Sequence, residues 1–142
     1  MTEQLISEGA AHLVVSMGEA TGPVPFTSYM TTPAFLKREP DVMLRFTRAV
    51  YRTQRWLAAA AAAEIATVIG GHFPEIDLAM RERIVARFAR QDTWSRDPLL
   101  RRPGYDYLQR ILQTGGFITR SHRYEDLVDT EIARRAMRET AG

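Results

Sequence analysis

From Met43 to Leu57, apolar side chains recur at Met43, Phe46, Val50 and Leu57, with Ala49 and Thr53 between them. Steps of three and four residues return to one face of an α-helix, whereas a strand would show alternation. Arg45, Arg48, Arg52 and Arg55 fall on the opposite side of the same helix. Six consecutive alanines, Ala58–Ala63, then carry high helix propensity and lead through Ile65 and Ile69 to Gly70-Gly71, where the run ends. One bent helix and two abutting helices both satisfy this pattern. A helical face this apolar needs a partner to cover it.

The flanking sequence divides by its punctuation. Thr2 can cap a short helix through Leu5 and Ile6 that stops at Gly9. His12–Met17 (HLVVSM) is a β-branched run bounded by glycine and is predicted to be a buried strand. Gly18–Pro25 holds two glycines and two prolines and is predicted to be a loop, after which Phe26–Met30 is extended again. Thr32 followed by Pro33 is a helix start, with a hydroxyl cap and proline in the first turn. That helix is short, and Pro40 and Asp41 open the long one.

Asp77 is a second candidate cap, for a helix whose stripe is Met80, Ile84 and Phe88, with Arg83, Arg87 and Arg90 facing away. Gln91–Gly104 is a polar loop that includes Trp94, expected to plug a gap between helices or, less simply, to offer a stacking platform. Tyr105, Leu108, Ile111 and Leu112 mark a further helix stopped by Gly115-Gly116. The last helix, near Thr130–Arg138, should bury Ile132, Ala136 and Met137. The sum is five or six helices and two short strands. Two strands do not make a stable sheet alone, so these elements imply neighbours or oligomer partners. Isolated chains are accordingly expected to self-associate or to be partly molten.

At 142 residues the chain is long enough for one domain with a core. The longest apolar run, Trp56–Ala63, is far short of the ~20 residues a membrane helix needs. The N-terminus, MTEQLISEGA, lacks the basic region and apolar segment of a secretory signal. Without cysteines, disulfides, thiol nucleophiles and cysteine metal sites are excluded. Net charge is +2, almost all positive charge is arginine, and Lys37 is the only lysine. A nucleic-acid domain would concentrate such an excess on one face with interleaved aromatics. The arginine stripe of the long helix lacks those aromatics and is diluted by Glu64, Glu75 and Glu82, so it is expected to be a solvated face.

Little else carries chemistry. GEATG (Gly18–Gly22) is followed by Pro23-Val24, where a P-loop requires a lysine and a hydroxyl. His12, His72 and His122 are widely separated, with no metal-binding spacing. No G-x-S-x-G elbow surrounds any serine, and the acidic residues show no spacing that fixes a catalytic pair. The chain is therefore expected to have no catalytic residue, metal or cofactor, and not to be an enzyme. In Phe26-Thr27-Ser28-Tyr29, alternation along a strand sends Phe26 and Ser28 to one face and Thr27 and Tyr29 to the other.

The loop with VPFTSYM (Val24–Met30), FLKREPDVMLRFTRAVYRTQRWL (Phe35–Leu57), FPEID (Phe73–Asp77), RQDTWSRDPLL (Arg90–Leu100), LQRILQTGGFI (Leu108–Ile118) and YEDLVDTEIARRA (Tyr124–Ala136) follow one another in an order and spacing similar to the C-terminal part of bacterial solute-binding proteins of ABC importers. The group resembled binds nitrate, sulfonates, taurine and thiamine-pyrimidine precursors. The alanine run departs from it, because its members usually show a polar break there.

The resemblance implies an α/β fold, predominantly helical in this segment: the C-terminal portion of a periplasmic binding protein type II fold. Residues 1–32 would hold a short helix, two strands and an interlobe connection, and residues 33–142 the helical part of one lobe. It implies a small anionic or heterocyclic solute bound between lobes, with Thr27, Ser28 and Tyr29 as ligand-binding hydroxyls. The implied partners are the importer's membrane permease subunits, with no nucleic acid and with possible homo-oligomers of the fragment. The full-length parent would be periplasmic or lipid-anchored outside the cytoplasm. The absent signal is then explained by truncation. Two other classes stand beside this reading: an enzyme on the same fold, such as a pyrimidine-precursor synthase or a desulfinase-like hydrolase, and a small helical interaction protein.

Overall fold

The computed structural model describes residues 2–140, and among them every regular element is helical. The α-helices are α1 (Thr2–Ser7), α2 (Met17–Thr21), α3 (Pro33–Arg38), α4 (Pro40–Ala59), α5 (Ala62–Val68), α6 (Leu78–Arg90), α7 (Arg102–Thr114), α8 (Tyr124–Leu127) and α9 (Glu131–Thr140). A 3-10 turn, Ile69–His72, extends α5.

This corrects the expected α/β class. There is no strand among the described residues, and hence no part of a periplasmic binding protein type II sheet. His12–Ser16 is irregular chain rather than a buried strand, and Val14 is 94% exposed. Met17 starts α2, which occupies the first half of the predicted glycine loop. Phe26–Met30 is likewise irregular, with Phe26 98% and Met30 92% exposed. The physical reason is that β-branched composition supplies only a preference. A strand exists through ladder bonds and cross-strand packing, and these two segments find neither.

The chain divides into two compact units, Met1–Gly22 with Gln54–Arg96, and Pro23–Thr53 with Asp97–Gly142. The boundary falls inside α4, between Thr53 and Gln54.

The first unit is built on α5 and α6, which pack against each other, and on α1, which lies on α6. Ile65, Ala66 and Val85 form its core, each at most 2% exposed, with Trp56, Leu57, Ala60, Ala62, Ile69 and Trp94 packed around them. The alanine run resolves into two helices. Ala61, at φ −68° and ψ 150°, separates α4 from α5, and the indole Nε1 of Trp56 reaches across the break to donate to Glu64 (2.7 Å). Asp77 caps α6 as expected, accepting from the Met80 amide at 2.8 Å.

Arg87, expected to face away, instead makes an ion pair with Glu3 of α1, whose residue exposure is only 8%. Arg81 turns inward too, donating to the carbonyls of Gly70 (3.1 Å) and Phe73 (3.0 Å) at the end of the 3-10 turn.

The second unit holds α3, the first part of α4, α7, α8 and α9. Thr32 caps α3 by accepting from the Phe35 amide at 3.1 Å, with Pro33 in the first turn. Its buried side chains are Leu44, Tyr105, Gln109, Ala133 and Ala136. Leu44 lies one position from the expected stripe, and Phe46 remains 42% exposed. Gly116, at φ 73°, follows α7 in the left-handed region, where glycine costs least. Gly104 in the first turn of α7 is closely approached, and a Cβ there would stand 3.2 Å from the Pro23 carbonyl oxygen.

Candidate functional site

Thr27, Ser28 and Tyr29 lie together on the irregular segment between α2 and α3, and all three are exposed. The Tyr29 ring meets Phe46 edge-on, with centroids 4.9 Å apart at 84°, which ties this segment to α4 within the second unit. The phenol stays 76% exposed. The three hydroxyls therefore sit on an accessible stretch fixed at one point. They can donate to a ligand without first breaking an internal hydrogen bond, since none is made by these side chains among the described residues.

Trp94 is packed rather than displayed. It rests against the first unit's core, and its ring lies 6.0 Å from that of Phe88, tilted by 48°. It also lines a small hollow of about 80 Å³ with Gln54, Leu57, Phe88 and Thr93. The arginine stripe behaves largely as a solvated face: Arg45, Arg52 and Arg55 are exposed, while Arg48 reaches Glu139 of α9 at 3.4 Å. No group of three or more metal-ligating side chains occurs among the described residues, and no helix is long and apolar enough to cross a membrane.

A further polar constellation was not visible in the sequence. It lies in the second unit, where the segment before α7 meets α8 and the start of α9. Tyr105 is 5% exposed and donates its hydroxyl to the His122 carbonyl at 2.9 Å. Its ring stands edge-on to Tyr124 at 5.5 Å. Burial raises the Tyr105 phenol above its ordinary value, and the negative charges of Asp106 and Asp126 add to the effect. Gln109, also buried, accepts from the His122 amide at 3.0 Å. Tyr124 donates to the Leu100 carbonyl, and Arg102 lies 4.9 Å over the Tyr124 ring while pairing with Glu125.

Beside this cluster is a half-open recess of about 240 Å³, lined by Leu99, Leu100, Arg101, Arg102, Tyr124, Thr130 and Arg134. Its residues are spread over more than thirty positions, so no local spacing could announce it.

Two surface pairs in this unit give a pH dependence. The Arg123 guanidinium, by hydrogen bond and charge, holds Asp126 below the usual carboxylate range. Arg135, then Arg48 and Arg138, do the same for Glu139. Both carboxylates are more acidic folded than unfolded, so their stabilising contribution is present above about pH 4 and is lost as pH falls through the folded values. Urea melts from pH 7 to pH 3 should show this loss, small because the pairs are exposed. An Arg123→Gln chain should lose the Asp126 part of it. Identical acid profiles for the two proteins would contradict the assignment.

No protein-family model matches the chain, and no solved structure matches it. The chain is similar to a curated protein of Bacillus subtilis (strain 168) named "Putative binding protein YtlA", with 33% identity over 132 residues. The match covers 93% of this chain and 40% of the relative, so the chain spans well under half the length of the protein it resembles.

Proposed function

We propose that this chain has a binding function, as part of a solute-binding protein of an ABC importer in the nitrate, sulfonate, taurine and thiamine-pyrimidine group. The observation that carries the reading is the similarity over 93% of the chain to a protein named as a binding protein. The order of the sequence segments from Val24 to Ala136 supports the importer class. In this reading the bound solute is small and anionic or heterocyclic. Thr27, Ser28 and Tyr29 supply hydrogen-bond donors to it, and the importer's permease subunits receive the loaded protein outside the cytoplasm. Binding of this kind needs fixed donors and a differential affinity between states, with no catalytic group.

Calorimetric titration of the chain and of the longer Bacillus relative with nitrate, taurine, an alkanesulfonate and an aminopyrimidine tests it. One solute class should bind saturably to the relative. In this chain, replacing Thr27, Ser28 and Tyr29 by Val, Ala and Phe should weaken whatever binding is seen. Turnover of any of these compounds, or no binding to either protein, would overturn the proposal.

Self-association follows from the same surfaces. Phe26 and Met30 are more than nine-tenths exposed, and apolar side chains so placed favour a cover. In sedimentation at about 100 µM the chain should run heavier than a monomer, and Phe26→Ser with Met30→Ser should shift it toward one. A monodisperse unmodified monomer would contradict this.

A further inference from the structure

We propose that the recess between the start of α7, α8 and the start of α9 binds a small organic carboxylate, at a site that shares no residue with Thr27, Ser28 and Tyr29 and does not depend on the importer reading. The first support is charge. Three arginines, Arg101, Arg102 and Arg134, line the recess. Arg101 pairs with Asp97 and Arg102 with Glu125. Three cations against two carboxylates leave one unmatched positive charge, and it belongs to Arg134.

Among the described residues Arg134 makes no ion pair, and its side chain has only a long hydrogen bond, 3.4 Å, to the Thr130 hydroxyl. The acidic groups next to it in sequence are engaged elsewhere. Asp129 accepts from the Glu131 amide at 2.7 Å, and Glu131 pairs with Arg138. An arginine held beside a hollow without a carboxylate presents its planar fork to one that arrives from solution.

The second support is shape and lining. At about 240 Å³ the recess is smaller than the roughly 300–1,000 Å³ of sites for drug-sized ligands, and suits a compact ion. Leu99, Leu100 and Tyr124 add apolar side chains to the same lining. Tyr124 is itself fixed, by its bond to the Leu100 carbonyl and by its contact with Tyr105. Leu99 is fixed too, its amide donating to Asp97 at 2.9 Å. The first turn of α7 opens here with no side chain capping it at Arg101, and a helix N-terminus favours negative charge. A single unmatched cation in a lining with apolar side chains selects a monoanion with a short apolar body over a dianion such as phosphate.

The test uses the whole chain, isotopically labelled, titrated with sodium benzoate and followed by amide chemical shifts. Benzamide, the neutral isostere, and inorganic phosphate are run in parallel at matched ionic strength. Benzoate should give saturable shifts at Leu100, Thr130 and Arg134 with a dissociation constant of millimolar order or tighter. Benzamide and phosphate should bind at least about tenfold more weakly. Arg134→Gln should weaken benzoate by about tenfold or more, Arg134→Lys by less, and Arg135→Gln, on the same helix, hardly at all.

Equal binding of benzoate and benzamide in the unmodified chain would overturn the proposal, as would unchanged affinity in Arg134→Gln or an absence of saturable shifts. If Arg134→Gln does not fold, the benzoate and benzamide comparison decides alone. Failure of the solute titrations leaves this result untouched, and the reverse holds equally.

Discussion

An Ile65→Ala chain should lose about 2–4 kcal/mol of stability in the first unit. Ile65 is 2% exposed and sits with Ala66 and Val85 in a small buried core among the described residues, so little remains to share the loss. Removing its branched side chain forfeits transfer free energy, and the two short helices that hold it can close the cavity only in part. The better helix propensity of alanine returns a few tenths of a kcal/mol. For a unit of this size the deficit corresponds to a drop of about 10 °C or more in the midpoint of thermal unfolding followed by circular dichroism. Leu78→Ala, at a position 48% exposed, should move it by a small fraction of that. If both variants melt alike, the core has been placed wrongly.

The second large effect concerns the Glu3–Arg87 pair. Arg87→Ala leaves the Glu3 carboxylate, largely shielded from water, without its cation, and such a loss costs about 3 kcal/mol. Detachment of α1 from α6 sets the ceiling, because a freed helix rehydrates its charge. Methionine at both positions should restore most of the stability, since an apolar pair of similar volume has no desolvation penalty to repay. Urea melts of the two single methionine variants, the double variant and the parent give the coupling energy directly. An Arg87→Ala chain within 0.5 kcal/mol of the parent would show that the pair is solvated and contributes nothing.

The helices were legible where a local signal is sufficient. Thr32 with Pro33, Asp77 ahead of Leu78, and Gly116 after α7 act through bonds or backbone preferences only a few residues long, and each sits in the structure as its type predicts. Periodicity located α4 and α6 but misjudged what they bury. The stripe Met43, Phe46, Val50 and Leu57 omits Leu44, which is the buried residue of α4, and the supposedly outward Arg87 faces α1. Hydropathy counts the side chain, whereas burial is decided by what arrives from elsewhere in the chain.

The same gap explains the two strands. His12–Met17 and Phe26–Met30 carry the right residues, but extended chain becomes strand only with a partner edge, and none exists among the described residues. Of the candidate site, the hydroxyls of Thr27, Ser28 and Tyr29 could be read from a single segment. The arginine recess could not. Arg101, Tyr124 and Arg134 meet only through the turn after α7 and the bonds of Tyr105 and Tyr124 to distant carbonyls.

The interleaved makeup of the units has a consequence for synthesis. Because α1 belongs with α6, some eighty residues must leave the ribosome before Glu3 can meet Arg87. Until then α1 lacks the helix it packs on and is too short to persist alone. In this unit α5 and α6 therefore compact first and α1 docks late, leaving a window in which chaperones or proteases can reach Thr2–Ser7.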